Sequence, residues 1–282
     1  MAKKRVTLLH PGEMGAAVGA CLRGRGLRVL WVSDARGAAT HARARASDLE
    51  EMPSLERALE GTDIVLAICP PHGAVNLAAS VARAGFHGVY VDANAIAPAT
   101  TREIGRLIEA AGGTFVDGGI VGPPPNKERR TRLYLAGPSG EEVAALFRST
   151  DLQAIFLEDA VGAASALKMC YAAWTKGTTA LLLNIRALAQ SEGIDGRLIQ
   201  EWSLSQPRAL QQCDTVAAAA RKAWRWTVEM EEIAASFEAV KLPGGFHHAA
   251  ADIYNRLTDF QGYTGTPTFE EMIAKLQQSE KS

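Results

Sequence analysis

A chain of 282 residues has room for one large domain or two smaller ones, each with a sizeable core. Its composition is ordinary for a globular protein, 47% hydrophobic and 22% charged. A formal net charge of −1 gives no bulk attraction to nucleic acid or to an anionic membrane, and no apolar run is long enough to span a bilayer. The N-terminal MAKKRVTLL leads straight into an expected strand and lacks the longer apolar region and cleavage site of a signal peptide. Cys21, Cys69, Cys170 and Cys213 are scattered and form no C-x-x-C, which fits reduced thiols in a cytoplasmic protein. His247 and His248 are adjacent and point apart on a helix, so no metal site is expected.

The first strand is expected at Val6–Leu9. A turn containing Gly12 and Gly15 follows, then a helix that includes Ala16–Leu22. Strand, tight turn and helix in this order suit a dinucleotide pyrophosphate, with free N–H groups and a positive dipole end at the helix start. Pro11, Gly12, Glu13 and Met14 are therefore candidate cofactor contacts. A full G-x-G-x-x-G would have glycine where this chain has His10, and an ordinary strand-to-helix turn is the plainer alternative. The second strand, Arg28–Val32, ends at Ser33, Asp34, Ala35 and Arg36. Serine admits a 2′-phosphate and Arg36 can pair with it, which favours NADP; Asp34 as a ribose acceptor would give NAD, and a simple cap would give neither.

The strand Ile64–Ile68 leads into Cys69-Pro70-Pro71, a rigid wall at the edge where ligands bind, or merely a stiff turn. Val89–Asp92 leads to Asn94, a candidate for hydrogen bonds to ribose or substrate, or an Asx-turn. Thr114–Asp117 precedes Gly118–Pro125, expected as a tightly turning loop that approaches a ligand or only links elements. Further strands are expected at Leu133–Ala136 and Ile155–Leu157. Short apolar runs alternating with helices imply a mostly parallel, doubly wound α/β sheet in residues 1–160, its far edge antiparallel or mixed.

From Ala163 to Glu192 the chain reads as one helix of about 45 Å, broken only by Gly177. It is apolar on most faces and so should be covered by other elements, including a second copy of the chain. Helices are also expected at Arg197–Ser203, Arg208–Ala223, Trp226–Ala239 and Gly245–Leu257, making residues 161–282 an all-α domain. Gln277–Ser282 should fray. Lys168 stands out on the most apolar stretch, because lysine is seldom buried without a partner or a task. Facing a cleft it would serve as proton donor or acceptor beside a carbonyl, and desolvation would lower its pKa; otherwise it snorkels to solvent, as Lys176 is expected to do.

Taken together, HPGEMG, CPP, DANAIAP (Asp92–Pro98), DGGIVGPPP (Asp117–Pro125) and GAASALKMCYAAWTKG (Gly162–Gly177) make the chain resemble the β-hydroxyacid dehydrogenase superfamily. That superfamily includes 6-phosphogluconate dehydrogenase, 3-hydroxyisobutyrate dehydrogenase and the imine reductases. The chain is most similar to a branch whose C-terminal domain is one of unknown function. The resemblance implies a Rossmann-like domain, a helical domain that dimerises, an active site in the cleft between them, and a catalytic lysine matched by Lys168. It also exposes departures. Val121 precedes Gly122-Pro123 where a substrate-holding serine precedes a glycine pair. Tyr171 or Ala172 stands where an asparagine follows the lysine, and Glu231-Glu232 replaces a Lys-Asp pair.

The expectation is an NADP-dependent oxidoreductase, with NAD as the alternative cofactor, acting on a small-molecule carbonyl or alcohol. Tyr171 would support the polar side of the pocket. Trp174 would line it or, more simply, sit in the core. Val121, Gly122 and Glu231 are further substrate candidates. Glu231 also motivates an imine as substrate, and the lost polar groups motivate a sensor that binds dinucleotide without turnover.

Overall fold

In the computed structural model, the described residues are 4–128 and 130–278. The chain divides into two compact units, the first ending at Met169 and the second beginning at Cys170.

The first unit is built on eight strands: β1 (Arg5–Leu9), β2 (Arg28–Val32), β3 (Glu50–Met52), β4 (Ile64–Ala67), β5 (Val89–Asp92), β6 (Thr114–Val121), β7 (Thr131–Ala136) and β8 (Leu152–Phe156). Their order in the sheet is β3-β2-β1-β4-β5-β6-β7-β8. All neighbours are parallel except β6 and β7. The interleaved helices are α1 (Glu13–Gly24), α2 (Ala38–Ala46), α3 (Leu55–Leu59), α4 (Ala74–Arg83), α5 (Pro98–Ala110) and α6 (Gly140–Leu146). Helices on both faces explain why the strands read as continuous apolar runs. In β4, Ile64 and Leu66 join one core with Val18, Leu22 and Trp31; Val65 and Ala67 join another with Ile104, Ile108 and Phe115.

Two expectations for this unit change. The strand β3 was not anticipated, because its Glu50-Glu51-Met52 carries two charges; it sits at the sheet edge, where charge blunts further pairing. Gly118–Val121 is not loop but the second half of β6, made strand by antiparallel pairing with β7 in the register Gly119↔Tyr134.

The helix α7 (Ala163–Ser191) runs through the division between units. The second unit continues with α8 (Asp195–Ser205), α9 (Pro207–Ala220), α10 (Ala223–Glu238), α11 (Gly245–Asn255) and α12 (Phe269–Leu276). Leu182, Leu183, Met230, Ile233, Tyr254 and Ile273 are among its buried side chains. Gly177 is tolerated in α7 because the Phe246 ring lies against it: an added Cβ would stand 3.0 Å from Cε1. The unforeseen α12 starts with a capping box between Thr268 and Glu271. The fraying expected at Gln277–Ser282 falls, beyond 278, outside the described residues. Among the described residues no helix is long and apolar enough to cross a membrane.

Candidate functional site

In the strand order β3-β2-β1-β4, the crossovers leave β1 in opposite directions, and the crevice of such a sheet opens at the carboxyl ends of β1 and β4. After β1, His10 adopts a left-handed backbone, φ 70°. It thus holds, at some strain, the conformation that glycine supplies in the full fingerprint. The amide of Gly12 closes the turn by donating to the His10 carbonyl at 2.9 Å. Gly12 is the N-cap of α1, without a side-chain cap, and a Cβ there would meet nothing within 4 Å. Gly15 is different: a Cβ would collide with the His10 carbonyl oxygen. Pro11 is buried, Met14 packs against the core, and Glu13 is exposed in the first turn of α1.

Beside this turn stands a cationic group from the β2 side. Arg36 Nη2 lies 3.3 Å from His10 Nε2, and Arg36 Nε is buried without a partner among the described residues. Burial, with Arg36 alongside, lowers the His10 pKa to about 4, so the ring is neutral and accepts from the guanidinium. Arg43 of α2 donates through Nε to the Pro11 carbonyl at 3.3 Å. This residue was not singled out from the sequence, where a basic residue in the sequence AATHARARA reads as helix surface. Ser33 Oγ donates to the Met52 carbonyl at 3.2 Å, and Asp34 is exposed.

At the ends of β4 and β5 the polar groups are tied to each other. Cys69 N–H donates to Asn94 Oδ1 at 2.6 Å. Asn94 in turn donates from N and Nδ2 to Asp92, at 3.0 and 2.9 Å. Asn94 is 2% exposed. This corrects the expectation of a direct ribose contact: its amide braces the Cys69-Pro70 turn instead. Pro70 is exposed; burial pushes the Cys69 thiol up to about 12.

Asp92, at the end of β5, and Asp117, midway along β6, are register neighbours. Both are buried, but their surroundings differ. Asp117 accepts from the backbone N–H groups of Gly162 (2.8 Å), Ala164 (2.9 Å) and Ser165 (3.2 Å), and from Ser165 Oγ (2.5 Å). Among the described residues Asp92 accepts only from Asn94; burial first, and the Asp117 charge as well, raise it to about 7. Asp117 therefore bonds the start of α7 to the sheet. Gly119, two residues on, lies directly beneath that helix: a Cβ there would collide with the Ala164 carbonyl and stand 3.2 Å from Lys168 Cβ. Lys168 is half-buried, and desolvation lowers its ammonium pKa to about 8. Val121 is buried, and Gly122 reverses the chain at φ 114° against the Arg130 carbonyl.

The structure thus gathers Pro11, Gly12, Met14, Ser33, Arg36, Cys69, Asn94 and Lys168 into the first unit. Tyr171, Trp174 and Glu231 belong to the second. Trp174 is 68% exposed, which overturns a core role, and Tyr171 is also exposed. Glu231 takes His248 Nδ1 at 2.7 Å, while His248 Nε2 meets Glu238 at 2.9 Å. Lys176 does not snorkel: it pairs with half-buried Glu229 and lies 5.6 Å from the centre of the Trp226 ring. Among the described residues no cluster suits a metal ion.

A family model described as the NAD binding domain of 6-phosphogluconate dehydrogenase matches residues 5–149, and a domain of unknown function matches residues 189–257. An uncharacterised 28.5 kDa protein of Methanothermus fervidus is 27% identical over 142 residues, which are 50% of this chain and 54% of that protein. The match therefore spans about half the length of that curated relative. A structure of a conserved protein of unknown function, described as similar to 3-hydroxyacid dehydrogenases, is 29% identical with a TM-score of 0.67, covering 91% of this chain and 97% of that one. The 3-hydroxyisobutyrate dehydrogenase of Mycobacterium tuberculosis (19% identity, TM-score 0.73, coverage 98% and 100%) shares the fold. So does an imine reductase of Streptomyces aurantiacus (20%, TM-score 0.56, coverage 98% and 100%).

Proposed function

The chain belongs to the family of the NAD binding domain of 6-phosphogluconate dehydrogenase, and from that premise we propose that it is an NADP-dependent oxidoreductase acting on a carbonyl/alcohol carbon. The observation that carries this reading is Lys168, desolvated and fixed over β6 at the edge of a dinucleotide-binding sheet.

The residues present fit the cofactor. The uncapped start of α1 offers N–H groups to a pyrophosphate, and open space over Gly12 leaves room for close approach. The unpartnered Nε of Arg36, with Arg43 nearby on α2, suits the extra phosphate of NADP. From β2 to β6 is about 19 Å at the usual strand spacing, a length an extended dinucleotide can follow.

When bound, the nicotinamide would supply or accept the hydride. Lys168 would hold the proton: Nζ–H donates to the oxygen as a carbonyl is reduced, and neutral Nζ takes the hydroxyl proton in the reverse direction. Burial lowers the Lys168 pKa to about 8, which keeps both protonation states within reach near neutral pH. Val121, Gly122, Tyr171, Trp174 and Glu231 remain the proposed substrate contacts, and a homodimer is the proposed assembly. The imine reading rests on a free Glu231 charge; with His248 on that carboxylate, the carbonyl reading is the better supported.

NADPH oxidation against aldehydes, ketoacids and cyclic imines tests this. Carbonyl turnover that Lys168→Met lowers by about 10²–10⁴ is expected. Turnover of imines alone overturns the carbonyl reading, and tight NADPH binding with no turnover across the panel favours the sensor.

A further inference from the structure

We propose that Asp117 is a positioning residue for Lys168: its carboxylate closes the positive end of α7 and bonds the first turn of that helix to β6, fixing the ammonium's place and charge state. The inference rests on the reading of Lys168 as the proton-transferring group.

The first N–H groups of a helix have no partner within it and carry partial positive charge. At the start of α7 the acceptor comes from a strand 45 or more residues earlier in the chain, not from a local cap. One carboxylate takes Gly162, Ala164 and Ser165 N–H together with Ser165 Oγ. Because that hydroxyl donates to Asp117, its oxygen accepts from Thr101 Oγ1 of α5 at 2.7 Å, extending the tie to a third element. Burial pushes Asp117 up, while the Ser165 and backbone donors pull it down.

Among the described residues, Asp92 on β5 and Arg102 on α5 are charged groups that also lie at this place. The Arg102 guanidinium lies against Gly162, where an added Cβ would collide with Nη1. Among the described residues Asp92 accepts only from Asn94, whereas the donors on Asp117 all favour its anionic form against burial. Lys168 is the sixth residue of α7, one turn beyond the bonded N–H groups. The Gly119 seat leaves no slack between that turn and the strand. A lost anion at the helix start leaves the dipole uncompensated, which disfavours the ammonium.

The test is amine labelling of the full chain across pH, without cofactor or substrate, read at Lys168 by peptide mass spectrometry, with exposed Lys127 as internal control. In Asp117→Asn the Lys168 labelling midpoint should fall by about half a pH unit or more, with Lys127 unchanged. Under saturating NADPH, kcat should fall more than the NADPH Kd rises. A folded Asp117→Asn with an unmoved Lys168 midpoint overturns the proposal. If that variant does not fold, Ser165→Ala carries the test. It removes the 2.5 Å bond and Thr101's link, and should move the midpoint the same way by less; no movement overturns the proposal. The midpoint needs no reaction, so failure of the carbonyl chemistry leaves this result standing, and an unmoved midpoint leaves the carbonyl chemistry standing.

Discussion

Lys168 has no ion pair among the described residues, and burial lowers its pKa to about 8. Lys168→Met keeps length and helix propensity but removes the proton. Turnover should fall by about 10²–10⁴, with NADPH affinity by calorimetry almost unchanged; near-normal turnover would show the lysine to be a bystander. The charge is disfavoured in the folded state below pH 8 and the penalty is relieved between 8 and 10.5. The methionine variant should therefore be as stable as the parent or more so at pH 7, by at most about 3 kcal/mol. The same titration gives a pH profile with opposite signs in the two directions. Carbonyl reduction needs the ammonium and should decline as pH rises through about 8, while alcohol oxidation needs the free amine and should climb there. A reduction profile flat from pH 7 to 9 would be inconsistent with Lys168 as the acid. Arg36 makes a second prediction at this scale. Titration should show NADPH binding more tightly than NADH, and Arg36→Ala should erase the difference. Equal affinities in the parent would return the ribose to Asp34.

Gly12 and Gly15 belong to one turn but should fail differently when made alanine. At Gly12, φ is −68° and the Cβ points into open space, so the melting temperature should hold while NADPH affinity drops. At Gly15 the Cβ would meet the His10 carbonyl, so α1 must shift; stability should fall by about 1–3 kcal/mol in urea. Equal melting temperatures for the two variants would contradict this geometry. Elements whose apolar runs are buried on both faces were legible, as β1, β2, β4 and β5 were, because local composition and burial agree. Those fixed by pairing with a distant neighbour were not. Gly118-Gly119 looks like a loop, yet β7 makes it strand; Gly119 admits α7, while Gly118 clears the backbone of Asp92 and Ala93. Likewise Asp117 reads only as a strand end, because its partners lie 45 to 48 residues away. Asn94 follows a strand as a polar residue, but its amide faces Asp92 and Cys69, which spacing does not reveal. Lys176 was misjudged for the same reason, since Glu229 comes from α10.

For the whole molecule, the unfinished surface is on α7. One side of this helix is closed by its own unit, with Ala172, Ala180, Leu182, Leu183 and Ala187 buried. The other presents Trp174 at 68%, Leu181 at 44% and Leu188 at 64% exposure, with Tyr171 at 46% one turn before Trp174. Trp174, Leu181 and Leu188 are seven residues apart, so they form one stripe down the helix. A contiguous apolar stripe on a chain of net charge −1 favours self-association over exposure. Light scattering at micromolar concentration should give twice the mass of the chain, and the melting temperature should rise with protein concentration. The double variant Leu181→Lys, Leu188→Lys puts charges where the single chain already exposes the side chains. The fold should therefore change by no more than about 0.5 kcal/mol, while the mass halves. A parent protein that scatters as a single chain would remove the dimer. A parent dimer that survives both lysines would place its interface elsewhere.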